Sequence, residues 1–200
     1  MKVTTLAALL LAYCILVACT RTSPNAQLVQ ADSLMQKSPD SALHFLEKIY
    51  PEKLKSLEDQ AYYALLVTQA QDKNYIFQEN DSLIRVAVQY YDSIKSTSMQ
   101  AKAHYYWGCI WRNREIYPQA LSRFFTAISY AQKTSDHKLT GYIYNNIANL
   151  YFLQKLYEQA DSIYQITEKI AIQEKDSGLW ADALSPVSYT HLTLPTTERV

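Results

Sequence analysis

From Gln27 onward the apolar residues recur three and four apart, the spacing that builds one face of a helix. Leu28, Ala31, Leu34 and Met35 open the series. Ser38-Pro39-Asp40 stops that helix and is expected to cap the next, SALHFLEKI, which ends before Pro51. A third helix begins at Ser56 or Leu57 and carries Ala61, Ala64, Leu65 and Thr68. Asp72 to Gln78 is expected to be a loop, and Asn80-Asp81 to cap a helix bearing Leu83, Ile84, Ala87 and Val88. The stretch from Ala103 to Ala131 predicts two helices folded back on each other, with Pro118 near the start of the second. Its small residues, Gly108, Ala120 and Ala127, allow close approach, and the rings of Trp107, Trp111 and Phe124 are expected to fill the surrounding space. The pattern gives helix pairs at about 27–50, 57–95, 98–132 and 138–175, with a fifth starting near 178.

These pairs repeat at an interval of about 40 residues. Val67, Trp107 and Ile147 fall in register, as do Thr68, Gly108 and Ala148. So do Ile84, Phe124 and Tyr164, and Ala87, Ala127 and Thr167. Ala120 matches Ala160, whereas Asn80 departs at that position. Trp107, Gly108, Trp111, Ala120, Phe124 and Ala127, followed by Ala148, Tyr151, Ala160 and Tyr164, closely resemble the small-and-aromatic signature of the tetratricopeptide repeat (TPR) family. The resemblance implies an all-α fold, a right-handed α-solenoid of antiparallel helix pairs over residues 27–185.

The two ends differ in kind from this middle. Residues 1–18 carry one Lys and an apolar run from Leu6 to Ala18, too short to span a bilayer and read as a secretion signal. Leu16-Val17-Ala18-Cys19 resembles the bacterial lipobox, which implies lipidation at Cys19 and a tether over residues 19–26. At the other end, VSYTHLTLPTT breaks the helical trend and resembles in-frame translation of a library adapter. Residues 186–200 are therefore expected not to be native chain.

The chain holds 19 Lys and Arg against 19 Asp and Glu, without a basic block, which argues against a nucleic-acid surface in this portion. Three Gly residues exclude Gly-rich phosphate loops. Of three Cys, Cys14 belongs to the signal and Cys19 to the lipobox, so Cys109 alone remains and no disulfide framework arises. Cys109 and His104 stand five apart on a helix, about 140° around its axis, and form no thiol–imidazole pair. His44 and His137 are isolated, so no metal site is expected. No catalytic constellation, cofactor or enzyme activity is inferred. The recurring Asp-Ser pairs are read as helix caps at Asp40 and Asp81 and as solvated polar faces elsewhere.

In the TPR family the first helix of each pair lines a concave face that grips an extended peptide. Carried onto this chain, that face includes Tyr62, Leu65 and Gln69, then Tyr105, Cys109 and Arg112, then Tyr142, Asn145, Asn149 and Phe152. Asn146 and Asn149 resemble the asparagines with which such proteins hold a peptide main chain, because an amide both donates and accepts. The alternative, that Asn145, Asn146 and Asn149 bond within the repeat or to solvent, stays open. The two-Lys carboxylate clamp of chaperone-binding TPR domains is not evident, only Arg112 supplying nearby charge. The expectation is a lipid-anchored, periplasm-facing envelope protein at the outer membrane that binds a protein or peptide. The alternative is the sensor portion of a membrane-tethered signalling or transcription regulator.

Overall fold

The computed structural model describes residues 25–184. The signal segment, Cys19 and the 186–200 tail lie outside them. All regular structure among the described residues is helical. The order is α1 (Ala26–Leu34), α2 (Pro39–Leu46), a 3-10 turn (Pro51–Lys53), α3 (Leu57–Lys73), α4 (Ser82–Ser93), α5 (Thr97–Asn113), α6 (Tyr117–Ala131), α7 (His137–Leu153) and α8 (Tyr157–Glu174). Residues 177–184 form a further helical stretch, α9. Each helix packs on the next in sequence, and α1 also meets α3, as α3 meets α5.

Side chains start several of these helices by accepting from otherwise unpaired N–H groups. Ser56 Oγ accepts from Asp59 N at 3.0 Å, and Asp136 Oδ1 from Leu139 N at 2.9 Å. The expected caps at Asp40 and Asp81 are different. Asp40 lies inside the first turn of α2, and neither Ser38 nor Asp81 makes a side-chain cap bond. Asn80 supplies the acceptor for Ser82 N instead, at 3.0 Å. Asp81 turns inward, where its Oδ2 accepts from Trp107 Nε1 at 2.8 Å. The helix before it also runs further than expected, because Asp72 and Lys73 complete α3 rather than opening a loop.

Five of the helices, α3, α4, α5, α7 and α8, end by a shared device that the paucity of Gly conceals. Tyr75, Lys95, Glu115, Lys155 and Lys175 have φ between 54° and 62°, the left-handed region. They stand 20 residues apart, save for one doubled interval. After each, the next N–H reaches back to the carbonyl five residues earlier: Ile76 to Gln71, Ser96 to Tyr91, Ile116 to Trp111, Leu156 to Tyr151, and Asp176 to Ala171. That bond is the signature of a Schellman terminus.

The 40-residue register is visible in burial. Thr68, Gly108 and Ala148 are all buried, and so are Ile84, Phe124 and Tyr164. Ala120 and Ala160 are buried, while Asn80 is exposed. Gly108 approaches a different neighbour from Ala120: a Cβ there would lie 2.5 Å from Phe124 Cε1. Phe124 thus occupies the space that the missing side chain leaves. Trp107 and Trp111 are only half-buried at the edge of this core, with Arg123 over the Trp107 ring at 3.4 Å and Arg114 over Trp111 at 4.9 Å.

Candidate binding cavity between the third, fifth and seventh helices

Two adjoining cavities open between α3, α5 and α7. The larger, of about 500 Å³, is bounded by Asp72 and Lys73 of α3, Tyr105, Arg112 and Asn113 of α5, and Tyr142, Asn145, Asn146 and Asn149 of α7. Tyr75, Ile76 and Phe77 from the α3–α4 connection form a largely exposed apolar rim, and Asp182 completes the lining. The smaller, of about 330 Å³, has Gln36, Gln69, Met99, Lys102, Tyr106 and Lys138 among its walls. Asp72, Lys73, Tyr105 and Tyr142 belong to both.

Local helical geometry makes this wall. Gln69 and Lys73 are four residues apart on α3, as are Asn145 and Asn149 on α7, so each pair shares a face. The centre is held by charge. Arg112 Nη2 donates to Asp72 Oδ1 at 3.0 Å and to Asn113 Oδ1 at 2.9 Å. Arg112 Nη1 donates to Asn146 Oδ1, so one guanidinium ties α3, α5 and α7 together. Burial opposes the charge on Arg112, but the Cys109, Asp72 and Tyr105 side chains more than offset it and raise its pKa.

Several predicted groove residues are therefore occupied with the protein itself. Asn146 accepts from Arg112 and donates through Nδ2 to Tyr142 O at 2.9 Å. Asn149 Oδ1 accepts from the Tyr164 hydroxyl at 2.5 Å. Tyr142 donates to Asp176 Oδ2 at 3.0 Å, and burial followed by that bond pushes its hydroxyl pKa up to about 12. Tyr105 is only 8% exposed, its ring edge-on to Tyr106, and burial raises its pKa well above the ordinary value. Phe152 stands outside both cavity walls and packs edge-on against Tyr157 at 5.5 Å.

Three other residues assigned to this face by the family pattern behave differently. Leu65 and Cys109 are completely buried, and burial pushes the Cys109 thiol pKa far up, away from nucleophilic use. Tyr62 instead donates to Asp32 Oδ2 at 2.7 Å. His104 meets Asp92 at 3.4 Å rather than Cys109, and stacks between Trp107 and Tyr130.

Two amides at this site lack what buried polar groups ordinarily have. Gln69 Oε1 and Asn145 Oδ1 have no hydrogen-bond partner, although the residues are 1% and 5% exposed. Charge is also more plentiful than Arg112 alone, since Lys73, Lys102 and Lys138 all line the smaller cavity. The helical spacing that places Gln69 on the inner face extends one turn to Lys73. A loop starting at Asp72, as the sequence leads one to expect, would leave that lysine off the helix face, whereas α3 runs through it. Among the described residues no His, Cys, Asp and Glu cluster could hold a metal ion, and no helix is long and apolar enough to cross a membrane. No family model matches the chain, and no curated protein matches it.

Proposed function

We propose that this chain is a TPR-like protein-binding module: a right-handed solenoid of antiparallel helix pairs, anchored by lipid at Cys19 on the periplasmic side of the outer membrane. Its ligand is an extended peptide or protein segment lying in the cavity between α3, α5 and α7. The observation that carries this reading is the unpartnered Asn145 oxygen in the cavity wall, 5% exposed, where a ligand N–H would satisfy it. An amide can take a main-chain N–H whatever side chain follows, so it suits a polypeptide. The 40-residue register of buried small and aromatic residues supports the repeat architecture. In this reading Tyr105, Tyr142 and Asn149 shape the wall and Arg112 with Asn146 holds it rigid, leaving Asn145 as the asparagine that contacts ligand.

A bead library of acetylated, amidated heptapeptides, screened with the full chain, tests the binding. Wild type is expected to retain a defined set of sequences, and Asn145→Leu, which keeps the side-chain volume, to lose them while keeping its helicity. No retention by wild type would refute the reading. The anchor is tested separately by palmitate labelling of the bacterially expressed chain, which Cys19→Ala should abolish.

A further inference from the structure

Four basic side chains line the two cavities, and three of them already have a carboxylate. Lys102 pairs with Asp32 at 3.6 Å, Arg112 with Asp72 at 3.0 Å, and Lys138 with Asp176 at 2.8 Å. Lys73 is the exception. Its Nζ meets only the Gln36 amide oxygen, at 3.4 Å. The neighbouring Asp72 is already engaged by Arg112 and Asn113. Lys73 is half-buried and stands in the wall that the two cavities share. One turn before it on the same face is Gln69, a wall residue of the smaller cavity whose buried oxygen is unpartnered; Asn145, unpartnered too, lines the larger cavity. Lys73 thus touches no carboxylate, feeling Asp72 and Asp176 only at longer range, and shares the cavity walls with two unpartnered acceptors.

From this arrangement we infer that the ligand is an extended segment with an acidic side chain in its interior, seated on Lys73. The inference rests on the peptide-binding reading and specifies its chemistry. The flanking main-chain N–H groups meet Gln69 on one side and Asn145 on the other. A segment occupying both cavities runs past Lys73 in both directions, so the carboxylate comes from an Asp or Glu side chain and not from a chain end. A half-buried ammonium that no carboxylate contacts directly gains from a partner more than an exposed one does, because water screens it less. A second acidic residue beside Asp182 in the larger cavity would be repelled, since that carboxyl has no basic partner and its pKa is raised by burial and then by Asp176. One acidic position is therefore favoured, not a run of them. Next to it, the exposed Ile76 and Phe77 rim offers apolar surface for a neighbouring ligand side chain.

The same library of capped heptapeptides, in which no free carboxyl terminus exists, tests this. Sequences retained by wild type should show Asp or Glu enriched at one internal position. Lys73→Glu, a change on the half-buried final turn of α3 with circular dichroism as the folding control, should weaken the best of them by about tenfold. It should regain affinity for the version with Lys at that position. Gln69→Leu should weaken all retained peptides regardless of charge. Retained sequences without an internal acidic preference, or with a preference that Lys73→Glu leaves unchanged, would overturn the inference while peptide binding itself stands. Binding that appears only with uncapped peptides would assign Lys73 to a chain terminus and overturn it as well. If wild type retains nothing, both readings fall.

Discussion

Asp72 and Arg112 lie at equivalent places on α3 and α5, one 40-residue interval apart, and meet at 3.0 Å. The same guanidinium continues to Asn146 on α7. Helices that are not neighbours in the chain, α3, α5 and α7, are thereby cross-linked by bonds that the packing of consecutive helices does not supply. The pair is mostly shielded, with side-chain exposures of 29% for Arg112 and 13% for Asp72. Arg112→Met leaves the Asp72 carboxylate and the Asn146 oxygen without their donor and should cost about 2 kcal/mol. Urea denaturation of Arg112→Met, Asp72→Asn and the double variant checks it. Additive losses would mean that the two do not act as a pair.

Gly108 is fixed by Phe124. With 2.5 Å between its would-be Cβ and the ring, even Gly108→Ala forces the aromatic side chain to move and should cost about 1–3 kcal/mol despite the better helix propensity of Ala. Phe124→Leu should recover part of that loss in the double variant. A melting temperature for Gly108→Ala at or above that of wild type would contradict the packing described.

The left-handed helix ends make the opposite kind of prediction. Glu115 and Lys155 hold φ near 60° with a Cβ that this conformation disfavours. Glu115→Gly and Lys155→Gly should each stabilise by about 1 kcal/mol, a gain that scanning calorimetry would register. Destabilisation by either would show that its side chain matters more than its backbone strain.

His104 should give stability a pH dependence. Burial lowers its pKa, and Arg123 of α6 acts the same way, against the pull of Asp92 of α4. The folded state therefore binds the proton less readily than the unfolded chain. Stability is complete above the unfolded value of about 6.5 and falls as pH drops through it toward the lower folded value. His104→Gln should flatten that part of the pH profile in denaturant titrations. An unchanged slope would assign the dependence to another group.

Much of the helix pattern is legible in the sequence because burial on a helix leaves a periodic trace. Ile84, Phe124 and Tyr164 share a register and are all fully buried, and Asn80, which breaks the small-residue pattern, is exposed. The helix ends are not legible from Gly, because Tyr, Lys and Glu adopt the left-handed turn here. Asp81 looks like a cap and is one only by position. Its carboxylate has a stronger claimant in the Trp107 indole, a partner 26 residues away that local reading does not reach. At the candidate site, the family resemblance brings Tyr105, Arg112 and the α7 asparagines to one face. It could not say that Asn146 and Asn149 are bonded within the protein while Asn145 is not. That distinction depends on rotamers and on an arginine from another helix. The sequence does carry one signal of this contact: Asp72 and Arg112 are opposite charges separated by the 40-residue interval itself.

Each helix packs on its neighbours in the chain or on the next but one. During synthesis, then, a helix does not wait for a distant segment before finding its partners. A nascent chain extending just past Ala131 already holds most of the helices that α3, α4 and α5 contact, the α7 bonds of Asn146 with Arg112 and Tyr105 and the α7 core residues coming later. Protection from proteolysis should accordingly rise in steps as each helix leaves the ribosome, the early steps preceding completion of the chain. The exposed Tyr75-Ile76-Phe77 connection should remain the first cleavage site throughout.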